Sequence, residues 1–182
     1  MAAHALVPDR ERRAAPECLA RTRCLGWGNY EVLTHIDIDA SPQETWAVLT
    51  DFAAYPRWSF WNLVGMEGDF RSDGKVVAIF QVLGRKRLPH VLIEFEEGRQ
   101  FAWTDPILGR ALGMYDHHLF RVEALPDGRS RFVQNDRPHG GIALVLGRLM
   151  AAILRFYYAK FNRALKNEVE RRKAAVKAPE TA

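Results

Sequence analysis

Cysteine is scarce in this chain: two of 182 residues, Cys18 and Cys24. Six positions apart and without a neighbouring histidine, they match no zinc-binding spacing and read as free thiols. Long apolar runs are missing too. No stretch of ~18 consecutive apolar residues occurs, which excludes a membrane-spanning helix. The opening segment, MAAHALVPDRERRAAPE, has no apolar centre and mixes acids among its arginines, unlike a secretory signal, so a cytoplasmic location is expected. Charge of one sign forms no long unbroken run. Lys and Arg number 26 against 22 Asp and Glu, a net charge of +4, and the basic clusters (Arg10/Arg12/Arg13, Arg85/Lys86/Arg87, Arg171/Arg172/Lys173) are short. A basic balance invites a nucleic-acid or anionic-membrane partner. No recognition motif accompanies it, so these clusters read as solvated tails and hairpin tips, and nucleic acid is not expected.

What remains is a composition of 48% hydrophobic and 26% charged residues, that of an ordinary globular domain. Aromatic residues crowd one place. "DFAAYPRWSFW", residues 51–61, holds five of them, and such a density must plug a core, line a pocket or meet a membrane.

Residues 1–28 show no sustained period and are expected to form a flexible or loosely docked arm. From Asn29, Tyr30, Val32, Thr34, Ile36 and Ile38 alternate with polar residues, the mark of a half-buried strand. "ASPQE" then signals a helix: Ser41 as N-cap, Pro42 at the first helical position and Glu44 closing a capping box. Trp46 and Leu49 take its buried side. Asp51 is placed to cap a second short helix, which Pro56 is expected to end near Tyr55. Strands follow at Leu63–Glu67, Lys75–Leu83, Leu88–Glu97, Arg99–Asp105, Tyr115–Leu125 and Ser130–Arg137, each bounded by Gly or Pro turn chemistry. With no helix-rich segment among them, this is an antiparallel meander and not a βαβ protein.

Beyond Gly140-Gly141 the period changes to about 3.6 residues. Arg148, Arg155, Asn162, Lys166 and Glu170 mark one polar line. Leu146, Leu149, Met150, Ile153, Tyr157 and Phe161 make the apolar face expected to be buried. A helix over 141–171 would be ~45 Å long. Residues 172–182 read as a basic disordered tail, leaving 29–171 as the folded domain. The fold class is α+β: a strongly curved antiparallel sheet wrapped around a long C-terminal helix, with two short helices after the first strand. A cavity is expected where the curved sheet pulls away from the straight helix.

"IDASPQETWAVLTDFAAYPRWSFW" resembles the opening of the SRPBCC (START-like, polyketide cyclase/dehydrase) superfamily: a strand, a Pro-x-x-x-Trp helix, then an Asp-x-x-x-Tyr-Pro-x-Trp turn. The matching residues are Pro42, Trp46, Asp51, Tyr55, Pro56 and Trp58. "FAWTDP" and "FRVEALPDGRSRFVQ" are similar to later strands of the family, and the resemblance runs from about residue 31 to 168. It implies a helix-grip fold around an apolar ligand cavity. Members include lipid carriers, hormone receptors, aromatases/cyclases, chaperone cofactors and the catalytic domains of ring-hydroxylating oxygenases. The oxygenases need two histidines and a carboxylate on iron, a spacing that His4, His35, His90, His117, His118 and His139 do not show. No metal or other cofactor is expected.

Strand parity orients the polar residues. Phe120, Val122 and Ala124 share one face of their strand, which carries Asp116 and His118 inwards. Phe101 and Trp103 carry Asp105 with them, and the intervening hairpin sets Asp105 near Asp116 and Trp103 near His118. The last strand has two readings. A two-residue turn at Asp127-Gly128 would turn Val133 and Asn135 inwards. A bulged turn, favoured because Gly128 suits positive φ, would select Phe132, Gln134 and Asp136.

Two functions fit. In the first, the chain binds a small hydrophobic molecule (a lipid, sterol or aromatic, polyketide-like compound) against Trp58, Trp61, Phe80, Trp103, Phe120, Gln134, Met150, Ile153, Tyr157 and Phe161. In the second it is a cyclase or dehydratase, with His118 and Asp116 or Asp105 as general acid and base and Tyr157 donating to an enolate oxygen. Against the second stands the common fate of such residues, pairing with arginines at hairpin ends. Trp58, Phe60 and Trp61 fall in the loop expected at the cavity mouth, where they touch ligand, transiently touch a membrane surface, or pack under the loop.

Overall fold

The computed structural model describes residues 18–60, 62–81, 84–104, 106–107 and 114–177. Among the described residues ten strands and three α-helices form in the order β1 (Cys18–Gly26), β2 (Asn29–Ile38), α1 (Pro42–Leu49), a 3-10 turn (Phe52–Ala54), α2 (Tyr55–Trp58), β3 (Asn62–Gly68), β4 (Lys75–Gln81), β5 (Arg85–Glu96), β6 (Gln100–Thr104), β7 (Pro106–Ile107), β8 (Met114–Tyr115), β9 (His118–Ala124), β10 (Ser130–Asp136) and α3 (Ala143–Lys177). Eight strands make one antiparallel sheet in the order β1-β2-β10-β9-β6-β5-β4-β3, and β7 pairs with β8. Irregularities at Cys24/Gly26, Leu63/Gly65 and Leu92/Glu94 insert an unmatched residue on one strand. Such bulges sharpen local twist, and the sheet they bend wraps α3 in a helix-grip fold.

The start of α1 follows from its sequence. Ser41 Oγ accepts from the Glu44 amide at 3.2 Å, and Glu44 Oε2 accepts from the Ser41 amide at 2.7 Å. Together these satisfy two donors that a bare helix start would leave open. Trp46 is buried, donates through Nε1 to Glu97 Oε1 at 2.7 Å, and meets Phe101 edge-on.

Three local expectations are corrected. Pro56 does not end the second helix; it lies in the first turn of α2, where a missing N–H costs nothing. The Asp51 side chain caps no helix but pairs with Arg172 Nη1 at 2.9 Å, tying the end of α3 to the turn before α2. Residues 18–26, read as part of an arm, pair with β2 as the edge strand β1. Most of β1 is exposed on both faces, so no alternation marks it.

The orientation of α3 is the largest difference. The helix packs chiefly on β2 and more lightly on β1, α1, α2 and β3. In its first half the sheet-facing residues are Ala143, Gly147, Ala151 and Tyr158, whereas Leu146, Leu149 and Ile153 are exposed. Gly147 shows why. A Cβ there would lie 2.0 Å from Tyr30 Cε2, so only glycine lets the helix backbone come this close. Small residues at a spacing of four make the contact, and the large apolar side chains turn away from the sheet. Farther along, Phe161, Leu165 and Val169 enter the main core with Trp46, Tyr55, Trp58, Phe101, Phe120 and Phe132. Asn162, assigned to the outer polar line, is buried.

Candidate functional site

The site is built on the inner face of β6, β9 and β10. On β10, Phe132, Gln134 and Asp136 face the helix side and are fully buried. This is the register selected by the bulged turn: Gly128 has φ +82, and the Leu125 amide donates to the Arg129 carbonyl across Pro126-Asp127-Gly128. Pairing then sets Gln134 opposite Phe120 and Asp136 opposite His118. On the other side Thr34 of β2 lies opposite Gln134, and Trp103 of β6 lies opposite His118.

His118 sits among rings. Its centroid is 4.2 Å from Phe120, 4.5 Å from Tyr158 and 5.2 Å from Trp103. His90 of β5 continues the row, 5.1 Å from Trp103 and 6.0 Å from the half-buried Phe80. Burial pushes the His118 imidazole down to about 3, the Gln134 hydrogen bond opposing and the nearby His90 and His117 adding to the fall. The ring is therefore neutral at pH 7.

Its tautomer follows from the neighbours. Gln134 Nε2 lies 3.4 Å from the Tyr158 carbonyl and 2.6 Å from Asn162 Oδ1. A backbone carbonyl only accepts, so the amide nitrogen must face it. Gln134 Oε1 is then turned to His118 Nε2, 3.0 Å away, and that nitrogen donates. A relay runs His118 → Gln134 → Asn162, leaving His118 Nδ1 with the lone pair.

Beside the relay, Tyr158 Oη donates to Asp136 Oδ2 at 2.6 Å. Burial drives the Asp136 carboxyl up to about 7, opposed by the Tyr158 bond and the Arg137 amide. Tyr158 is raised well above its ordinary value by burial and by the Asp136 charge, with Asp116 adding to it. Asp136 Oδ1, Asn162 Nδ2 and Thr34 Oγ1 are buried without a hydrogen-bond partner among the described residues.

Other residues expected at the site are dispersed. Asp116 is buried and its carbonyl accepts from Thr104 Oγ1 at 2.7 Å. Trp58 is packed in the core, 4.6 Å from Tyr55 and 5.4 Å from Phe161 between ring centroids, so it is not a loop residue. Phe161 is buried against Phe120 and Phe132. Met150 and Tyr157 are half-buried and Ile153 is exposed. Tyr157 stands next to Phe156, 5.7 Å away, and Tyr158, not Tyr157, enters the polar row. Trp61 and Asp105 lie outside the described residues. Asp136 was expected to face inwards but without a chemical role, and Tyr158, Asn162 and Thr34 were not expected at the site. The Ala143/Gly147/Ala151 spacing, extended by seven to Tyr158, is the sequence signal that turns Tyr158 to the sheet.

Among the described residues no three His, Cys, Asp or Glu side chains group as a metal site, and no helix is long and apolar enough to cross a membrane. A separate open groove of about 510 Å³ runs beside the β9–β10 hairpin, between Pro42-Gln43 and Arg121–Ala124. It includes no member of the buried polar row.

This sheet, helix and ringed interior define a helix-grip protein of the ligand-binding type. Residues 30–170 match the model of the family described as polyketide cyclase/dehydrase and lipid transport, and the chain belongs to that family. No curated protein matches it significantly. Among solved structures, a protein from Nitrosomonas europaea is 13% identical with a TM-score of 0.60, over 79% of this chain and 96% of that one. Ara h 8.0201 is 14% identical with a TM-score of 0.57, over 78% and 98%. The di-domain ARO/CYC BexL from the BE-7585A biosynthetic pathway is 11% identical with a TM-score of 0.60, over 80% of this chain and 52% of BexL. At such identities these likenesses concern the fold.

Proposed function

We propose that this chain binds a small hydrophobic molecule, a lipid, sterol or aromatic polyketide-like compound, between the curved sheet and α3. The observation that carries this reading is the ring wall Phe80–His90–Trp103–His118, in which His118 is held neutral. Apolar walls with a few fixed polar groups are what small-molecule sites require. Native mass spectrometry of gently purified protein, with 1-anilinonaphthalene-8-sulfonate titration, tests it. A one-to-one adduct lost on denaturation, or saturable dye binding weakened by Phe80→Ala, is the expected result. An unliganded mass together with no saturable dye binding overturns it.

A cyclase- or dehydratase-type activity draws on a different observation, the Asp136–Tyr158 pair with its carboxyl near 7. In that reading the proton is held by Asp136, because the His118 Nε2 hydrogen is committed to Gln134. Asp136→Asn would abolish turnover of a polyketide-like thioester while leaving its binding intact. Undiminished turnover in that variant removes Asp136 from the chemistry.

A further inference from the structure

The outward face of α3's first half is apolar where a surface helix is normally polar. Val145 is 83% exposed, Leu149 58% and Phe156 55%, with Leu146 and Ile153 beside them at 43% and 45%. Spacings of four and seven align the first three on a line roughly opposite the sheet-facing Ala151. At the same end of the molecule the β1–β2 turn presents Trp27, 84% exposed, beside Leu25 at the end of β1, 49% exposed. The turn abuts the helix start, since a Cβ on Gly28 would lie 2.4 Å from Leu144 Cδ2.

The charge on this face has one sign. From Ala143 to Asn167 the chain carries Arg148, Arg155, Lys160, Arg163 and Lys166 and no acid. Arg148, Arg155 and Arg163 are exposed, and none of them pairs with a carboxylate among the described residues. The Lys160 ammonium lies 4.6 Å over the Phe156 ring. Arg21 and Arg23 of β1 add further exposed cations.

We propose that this face docks on an anionic lipid surface, with Val145, Leu149, Phe156 and Trp27 entering the headgroup boundary and the arginines meeting lipid phosphates. Apolar residues flanked by Lys and Arg on one helix are the make-up of an interfacial helix, and an exposed tryptophan suits the same depth. The cations favour lipid over a second copy of this chain, because a two-fold contact would set one acid-free basic face against another. The inference does not depend on what the interior holds.

Co-sedimentation of the full chain with phosphatidylcholine vesicles, with and without phosphatidylglycerol, tests it. The chain is expected to pellet with the anionic vesicles only and to be released as salt is raised. Tryptophan emission should shift to the blue on binding, less so in Trp27→Phe. The pair Leu149→Ser/Phe156→Ser and the triple Arg148→Gln/Arg155→Gln/Arg163→Gln should each weaken binding at least about tenfold. Circular dichroism and Tm should be unchanged, since these side chains lie outside the core. No binding to anionic vesicles, or equal binding by the variants, overturns the proposal. A wild-type dimer that Leu149→Ser/Phe156→Ser dissolves, with no vesicle binding, assigns the face to a second copy instead.

Discussion

Tyr158 and Asp136 join helix to sheet through one hydrogen bond, Oη to Oδ2 at 2.6 Å, with both residues buried. The bond is made to a carboxyl that burial holds up to about 7. An ordinary unfolded-state aspartate titrates near ~3.9. The native state therefore binds the proton more tightly than the unfolded chain. Its contribution to stability is complete below pH ~3.9 and is lost as pH rises towards 7. Asp136→Asn mimics the neutral acid and has no such slope. In urea unfolding, the stability of Asp136→Asn relative to wild type should rise between pH 5 and pH 8. A difference that stays flat across that range would remove the raised carboxyl from the account.

His118 has the opposite sign. Its folded value, pushed down to about 3 by burial, lies below the ~6.5 of a free imidazole. Its contribution to stability is present above pH ~6.5 and is lost as pH falls towards 3. The His118 ring resonances in NMR should not move between pH 8 and pH 5. A midpoint near 6.5 would show the ring to be hydrated and charged.

Gln134 links His118 to Asn162. Gln134→Ala removes both bonds and strands the His118 N–H and the Asn162 carbonyl in a buried space. The expected loss is about 2–4 kcal/mol, combining a small cavity with two unmet polar groups. Thermal or urea denaturation reads it directly, and a loss below about 0.5 kcal/mol would mean that water replaces the amide.

The Arg131–Asp37 pair bridges β10 to β2, through Nε–Oδ1 at 2.6 Å and Nη2–Oδ2 at 3.0 Å, and Asp37 is buried. Arg131→Ala leaves that carboxylate without its bidentate partner. Denaturation should show a cost of about 2–3 kcal/mol, below the range for a wholly buried pair because Arg131 keeps some solvent. The double change Arg131→Leu/Asp37→Leu should cost less than the single one.

Much of this fold was written in local chemistry. Alternation marked β2, and Gly and Pro turn chemistry bounded β4, β5 and β9. Ser41 and Glu44 marked the start of α1, and Gly128 chose the register that turns Gln134 and Asp136 inwards. Two things were hidden for physical reasons. β1 has no consistently buried face, so period two had nothing to select. In α3 the large apolar residues Leu146, Leu149 and Ile153 suggest the buried face, but the packed side is made by Ala143, Gly147 and Ala151, whose small size brings the helix close to β2 and the Tyr30 ring. Hydrophobicity is a weak guide where closeness decides the packing. The same shift of face concealed the polar row: Tyr158 replaced its neighbour Tyr157, and Asn162 went under the helix.

Gly147 against Tyr30 has a consequence for the size of the interior. The Gly147 backbone rests against the Tyr30 ring of β2, so the clearance between the layers at this point is set by that ring meeting a residue with no side chain of its own. A chain of this fold with a bulkier residue there would have to carry its helix higher, like a lid resting on a thicker gasket. Whatever lies between the layers would gain room without any change in its own lining. One contact between a glycine and a ring thus sets the spacing of the layers, separately from the rings of β6 and β9.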